Sequence, residues 1–178
     1  CFPMFIALES EFWCEDHLVY YRFLGRVVGK AMFDQQLVKY HMAEHIYKHM
    51  LGWPIQFKDL ESVDEDYYED LKEMQAMADR GEDVSTLGLR FTTKDMIGNK
   101  EEVELVMGGK EMEVTNDNFR EYVEACLKYK LMDCVKPQLN ELLLGFFDVI
   151  PEPLLTVFDF QEFEQLMCCS LQKGDLEN

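Results

Sequence analysis

Three histidines have the spacing at which side chains can share a metal ion. His41, His45 and His49 fall at positions i, i+4 and i+8 of a predicted helix. Imidazoles one helical turn apart can both bind zinc, but a third imidazole two turns away is too distant to complete a tetrahedron with the other two. The glutamate of an H-E-x-x-H arrangement is also missing. We therefore favour a stripe of partly exposed histidines over a metal site.

The six cysteines form no recognisable catalytic or metal-binding arrangement. They are Cys1, Cys14, Cys126, Cys134, Cys168 and Cys169. No two are spaced as C-x-x-C, which argues against a zinc ribbon or a thioredoxin-like site. Cys168 and Cys169 are the last residues of a predicted apolar helix, where the negative end of the helix dipole disfavours a reactive thiolate. We expect reduced thiols inside a cell and no catalytic residue in this chain.

The composition excludes several classes of partner. The 178 residues include 35 Asp and Glu against 17 Lys and Arg, which gives a formal net charge of −18. Such a surface repels nucleic acid and anionic membranes, and no stretch reaches the roughly 20 apolar residues that a membrane span needs. The charge suits a basic protein partner, although acidity that only keeps the protein in solution is an equally good interpretation.

The longest predicted helix covers residues 15–33 and carries different patterns on different faces. One face has apolar side chains at helical spacing; they are Tyr20, Phe23, Leu24, Val27 and Ala31. Gly25 and Gly29 lie one turn apart on another face, although each glycine costs a helix about 1 kcal/mol relative to alanine. We infer that another backbone passes close to these glycines. We expect the helix to be buried on most sides, apart from a cationic strip of Arg22, Arg26 and Lys30.

The other elements follow from capping residues and hydrophobic periodicity. Helices are predicted at residues 35–52, 64–78, 118–132, 137–149 and 160–169, with Asp64 as the N-cap of the second. Three short strands are predicted at residues 88–92, 103–107 and 112–114, with Gly108-Gly109 as a hairpin turn. The fold class is therefore α+β, a mainly helical lobe with a small subdomain of a three-stranded antiparallel meander and helices. The large helical part takes residues 1–52 and 130–178, and the small subdomain takes residues 53–129.

Several stretches resemble the amino-terminal lobe of HECT-type ubiquitin ligases. The most specific is YYRFLGRVVGKA at residues 20–31. Others follow in the order of the family: DLESVD at 59–64, LGLRF at 87–91, VEL at 103–105, VTNDN at 114–118, LGFF at 144–147 and VIP at 149–151. Each stretch alone is weak evidence for the family, but together the stretches cover nearly the whole chain with spacing compatible with that of the family. The sequence is therefore identified as a member of this family.

The resemblance implies a place in ubiquitin transfer. HECT ligases accept ubiquitin from a ubiquitin-conjugating enzyme onto their own cysteine and pass it to a lysine of a protein substrate. The acceptor cysteine lies in a separate carboxy-terminal lobe within a Thr-Cys-Phe-like motif, which this sequence lacks. We expect a fragment that starts after the family's first elements, ends before that lobe and has no catalytic cysteine. The implied partners are the conjugating enzyme, ubiquitin and a substrate that regions outside this chain recruit. The resemblance implies no cofactor. It also implies that the protein works in the cytoplasm and the nucleus.

The resemblance also implies a docking groove for the conjugating enzyme. Its positions correspond here to Tyr67, Leu71, Met74, Met77, Leu87, Leu89, Tyr122 and Cys126. Some members of the family have phenylalanine in place of Tyr122, and Cys126 is smaller than the usual residue, so affinity or partner choice can differ. One alternative is that these side chains form the core of the small subdomain. The alternative function is a non-catalytic helical module that binds another protein through the same groove.

Overall fold

The computed structural model describes residues 15–36, 42–95 and 102–167. The α-helices within these ranges are α1 (His17–Phe33), α2 (Glu44–Leu51), α3 (Glu65–Asp79), α4 (Phe119–Leu131), α5 (Lys136–Phe147) and α6 (Phe160–Met167). Short 3-10 helices cover Phe57–Leu60, Val84–Leu87, Gly109–Glu111, Asp133–Val135 and Glu152–Leu154. Two strands, β1 (Thr92–Thr93) and β2 (Val103–Glu104), form a small antiparallel sheet. The prediction of a mainly helical chain with a small sheet is confirmed.

The chain divides into two compact units. The first unit is Cys1–Ile55 with Pro137–Asn178, and the second unit is Gln56–Lys136. The core of the first unit consists of Val28, Met42, Ala43, Ile46, Tyr47, Met50, Leu142, Phe146, Ile150, Leu155, Phe163 and Met167.

Among the described residues, none of the helices combines the length and the apolar composition that crossing a bilayer requires.

Helices α1 and α5 cross in direct backbone contact. A methyl group added at Gly25 would lie 2.0 Å from the carbonyl oxygen of Leu142. In the reciprocal contact, a methyl group added at Gly145 would lie 2.0 Å from the carbonyl oxygen of Arg22. No side chain fits at such a distance, so only glycine allows the two backbones to come this close. The prediction that another backbone passes Gly25 and Gly29 is confirmed, and we call this contact the glycine crossing.

The expected burial of the apolar face of α1 is wrong. Tyr20 and Phe23 are 63% and 61% exposed, and Val27 is exposed as well. The buried residues of α1 are instead Gly25, Val28 and Gly29. At about 100° of rotation per residue, the glycines and the aromatic side chains lie on nearly opposite sides of the helix. The helix packs through its glycine side because close backbone approach is possible only there.

The cationic strip of α1 binds carboxylates instead of facing water alone. Arg26 Nη2 lies 2.7 Å from Asp148 Oδ2, and Arg22 Nη1 lies 3.4 Å from Glu141 Oε2. The hydrogen bond from Arg26 is the main reason that the pKa of Asp148 is held below its usual range. These ion pairs join α1 to the middle of α5 and to Asp148, which directly follows α5, beside the glycine crossing. Lys30 pairs with Asp34, the residue that follows α1.

The histidine stripe differs from the predicted one. His45 is buried on α2, and its ring contacts the ring of His49 edge-on, with 6.2 Å between the centroids. His41 lies outside the described residues. Within the described ranges, no group of three or more His, Cys, Asp or Glu side chains could hold a metal ion.

The three-stranded meander of the second unit is not confirmed. The register of the sheet pairs Thr92 with Glu104, and the place of a third strand is taken by an isolated bridge between Arg90 and Glu113. A methyl group added at Gly109 would lie 2.3 Å from the carbonyl oxygen of Phe91. The chain therefore turns tightly against the backbone of Phe91, as a 3-10 helix instead of the predicted hairpin turn between two strands.

Candidate functional site

The first turn of helix α3 is held by an N-cap hydrogen bond and by an ion pair with α4. Asp64 Oδ1 accepts a hydrogen bond from the backbone N–H of Tyr67 at 3.1 Å, which confirms Asp64 as the N-cap. Lys130 Nζ donates to Asp64 Oδ2 at 2.7 Å and lies 4.4 Å from the centre of the Tyr67 ring. The Lys130 side chain is almost fully buried. The ion pair and the cation–π contact therefore fix the start of α3 to the end of α4.

The second unit has an open cleft of about 770 Å³. Its lining comes from the start of α3, from the segment 88–94, from Glu102 and from α4. The lining residues are Asp64, Asp66, Tyr67, Asp70, Gly88, Leu89, Arg90, Thr92, Thr93, Lys94, Glu102, Tyr122 and Lys130. The lining is mixed: Tyr67, Leu89 and Tyr122 supply apolar surface, and several carboxylates and cations supply charge. We call this feature the α3–α4 cleft.

Two tyrosines and a cysteine form a hydrogen-bonded cluster in this cleft. The hydroxyl of Tyr67 donates to Cys126 Sγ at 3.1 Å and lies 3.4 Å from Thr93 Oγ1. Tyr122 is buried and interacts with Cys126 and Tyr67, and its ring packs edge-on against Phe91 with 5.4 Å between centroids. Burial raises the pKa of both phenols and of the thiol above their usual values. The tyrosine–thiol cluster (Tyr67, Tyr122 and Cys126) is therefore uncharged at neutral pH.

A second, smaller recess of about 370 Å³ occurs elsewhere on the second unit. Its lining residues are Phe57, Gln75, Arg120, Val123, Glu124 and Leu127. None of the eight residues predicted for the docking groove lines it. We call it the small recess.

The comparison with known families identifies the chain. Residues 3–178 match the family described as HECT-domain (ubiquitin-transferase). The chain belongs to the HECT-domain family. The match extends over both compact units, so the two units are parts of one HECT domain.

Curated relatives of this HECT-domain chain are E3 ubiquitin-protein ligases. The chain is 39% identical over 155 residues to E3 ubiquitin-protein ligase HACE1 of Danio rerio. The aligned residues cover 85% of the chain and 17% of the relative. It is 40% identical over 163 residues to ptr1 of Schizosaccharomyces pombe, covering 92% of the chain and 5% of the relative. It is 36% identical over 152 residues to TOM1 of Saccharomyces cerevisiae, covering 85% of the chain and 5% of the relative. The chain therefore spans less than a fifth of the length of these relatives.

Three of the eight residues predicted for the docking groove of this HECT domain line the α3–α4 cleft; they are Tyr67, Leu89 and Tyr122. A fourth, Cys126, is fully buried and accepts a hydrogen bond from Tyr67. Leu71 is fully buried on α3 and does not line the cleft. Burial of Leu71, Cys126 and Tyr122 agrees with the alternative that they belong to the core, whereas Tyr67 and Leu89 are half-buried and a partner can reach them.

The other three predicted residues do not line the cleft. Met74 and Met77 are half-buried on α3, and Leu87 is 42% exposed at the end of a 3-10 helix. Leu87 lies directly before the cleft segment 88–94, but it is not among the lining residues. The docking role of all eight residues stays a prediction.

Sequence reasoning missed the charged residues of the cleft. Asp66 and Asp70 are exposed on α3, and Arg90 and Lys94 are exposed on the segment 88–94. The two aspartates had a usable signal, because their i, i+4 spacing puts them on one face of the helix next to Tyr67. The two cations lie mostly in irregular chain, where no periodicity predicts a face.

Proposed function

We propose that this chain is the lobe of a HECT-type ubiquitin-protein transferase that recruits the ubiquitin-conjugating enzyme. In the full protein, ubiquitin passes from the conjugating enzyme to a cysteine of a carboxy-terminal lobe. From there it passes to a lysine of a substrate that other regions recruit. The observation that carries the proposal is the α3–α4 cleft, because it opens at positions expected for the docking groove in a chain of this family. Nothing in the comparisons favours the non-catalytic module.

The cleft suits a loop of the conjugating enzyme that carries an apolar side chain flanked by cations. Tyr67, Leu89 and Tyr122 supply apolar and ring surface for such an anchor. Asp66 and Asp70 supply exposed carboxylates at the same place. The net charge of −18 adds a long-range attraction for a basic partner and speeds its encounter with the cleft.

The cysteines in the described part of the chain are unsuited to accept ubiquitin themselves. The nucleophile in such a transfer is a thiolate, which attacks the thioester carbonyl and releases the thiol of the conjugating enzyme. Cys126 and Cys134 are buried, and burial raises the pKa of both thiols, to about 11 for Cys134. We therefore assign recruitment, and not covalent transfer, to the described residues. The two free thiols also support an intracellular location for the protein.

Calorimetric titration with a panel of ubiquitin-conjugating enzymes tests the proposal. We expect at least one enzyme to bind the chain with one-to-one stoichiometry. Leu89→Asp places a charge among the apolar side chains of the cleft and should weaken that binding by about tenfold or more.

Leu144→Asp is the control, because Leu144 is an exposed leucine that lies on α5 in the first unit and does not line the cleft. This variant should bind as the unchanged chain does, and both variants should keep its unfolding midpoint to within a few degrees. Equal binding by all three proteins would remove the cleft from the docking site. A complete lack of binding across the panel would overturn the proposed function.

A further inference from the structure

Cys126 interacts with both tyrosines that line the α3–α4 cleft. Its sulfur accepts a hydrogen bond from the hydroxyl of Tyr67 at 3.1 Å, and the side chain of Tyr122 interacts with the same thiol. The residue is completely shielded from solvent. A partner in the cleft therefore touches the tyrosines and does not touch Cys126.

The Cys126 sulfur lies closer to the Tyr67 hydroxyl than the oxygen of Thr93 does. A buried hydroxyl without an acceptor loses its hydration without compensation, so each phenol turns towards any acceptor within reach. Sulfur is a weak acceptor, but Thr93 Oγ1, another acceptor for the Tyr67 hydroxyl, lies further away, at 3.4 Å. If the sulfur were absent, the hydroxyls would compete for Thr93 or turn towards the cleft.

We propose that Cys126 is a positioning residue that sets the partner specificity of the cleft. It holds the hydroxyls of Tyr67 and Tyr122 inside the protein, so that the cleft presents ring surface and accepts an apolar or aromatic side chain of the conjugating enzyme. This inference rests on the proposed docking function. It explains how a cleft built from two tyrosines can receive an apolar anchor without exposing two polar groups to it.

The test compares Cys126→Ala with Cys126→Ser in the whole chain, titrated with a conjugating enzyme that binds the unchanged protein. Alanine and serine occupy similar volumes, so the two variants leave similar cavities and differ mainly in the hydrogen-bonding oxygen. We expect Cys126→Ser to bind within about twofold of the unchanged chain, and Cys126→Ala to bind about fivefold or more weakly.

A second background separates positioning from simple packing. In the Tyr67→Phe, Tyr122→Phe double variant there are no hydroxyls to hold, so alanine and serine at position 126 should give equal affinities. A difference between them that persists in this background would overturn the inference. So would equal affinities in the background that keeps both tyrosines.

The proposed function fails separately from this inference. If the unchanged chain binds and Leu89→Asp does not, but Cys126→Ala and Cys126→Ser bind equally well, docking stands and the role of Cys126 is wrong. If the unchanged chain binds no conjugating enzyme, both are wrong. Unfolding midpoints of each variant, measured by circular dichroism, identify any loss of binding that results from unfolding.

Discussion

The glycine crossing and the α3–α4 cleft solve opposite packing problems in one chain. At the crossing, the absence of side chains at Gly25 and Gly145 lets two helices touch through their backbones. At the cleft, the large side chains of Tyr67 and Tyr122 leave an opening of about 770 Å³. The first region is closed, whereas the second is open. The close backbone contact of the first region serves stability, and the second is the region for which we propose recognition.

Charge is used differently in the two regions as well. Beside the glycine crossing, Arg26 and Asp148 satisfy each other at 2.7 Å. In the cleft, Lys130 pairs with Asp64 within the protein, whereas Asp66 and Asp70 remain exposed on the lining. Internal pairs fix the elements, and the exposed carboxylates are placed where a partner can supply the opposite charge.

The largest effect is expected from a single methyl group at the glycine crossing. By helix propensity alone, Gly25→Ala should stabilise α1 by about 1 kcal/mol. Because the added carbon would lie 2.0 Å from a backbone oxygen, we expect a net loss of at least about 3 kcal/mol in the free energy of unfolding. Denaturation with urea, followed by far-ultraviolet circular dichroism, measures this loss.

Val27→Ala is the control for that variant, because Val27 lies on the exposed side of the same helix. It should change the free energy of unfolding by no more than about 0.5 kcal/mol. If Gly25→Ala proved as stable as Val27→Ala, the two backbones would not be in contact at Gly25. The contrast between a closed glycine crossing and an open cleft would then be wrong.

A smaller effect, on binding instead of stability, is expected at the cleft. The double variant Asp66→Asn, Asp70→Asn removes two exposed carboxylates from its lining and should weaken docking of a conjugating enzyme by roughly fivefold at low salt. The difference from the unchanged chain should shrink as salt is added, because screening already weakens the attraction. Calorimetry at several salt concentrations measures both quantities.

Glu73→Gln is the control, since Glu73 is exposed on the same helix but does not line the cleft. It should leave affinity nearly unchanged at every salt concentration. An equal loss for this control would mean that only the net charge of α3 matters, and that the cleft has no special role in attracting the partner.

The sequence predicted the glycine crossing correctly, but it did not predict which side of α1 is buried. Gly25 and Gly29 have no use in a helix interior unless a backbone is close, so their spacing pointed to the contact. Hydrophobic periodicity pointed to Tyr20 and Phe23 as the buried side, and this was wrong because the glycines set the packing side. Where hydrophobic periodicity and glycine spacing indicate different buried sides, the glycine spacing is the better guide, because a close contact between two backbones leaves no room for a side chain.

The cleft could be predicted only in part. The family resemblance supplied Tyr67, Leu89 and Tyr122, and helix-capping rules supplied Asp64. The contact of Lys130 with Asp64 joins residues 66 positions apart, and no local pattern records such a pairing. The meander failed for a similar reason, because a tertiary approach of the Phe91 backbone shapes the chain at Gly109.

Hydrogen–deuterium exchange of the chain, with and without a saturating conjugating enzyme, is the most direct test of the claim that the α3–α4 cleft is the docking site. We predict slower amide exchange at residues 64–70 and 88–94 in the complex, with no change across α1 and α5. Protection confined to the small recess or to the glycine crossing, with the two cleft segments unchanged, would contradict the account.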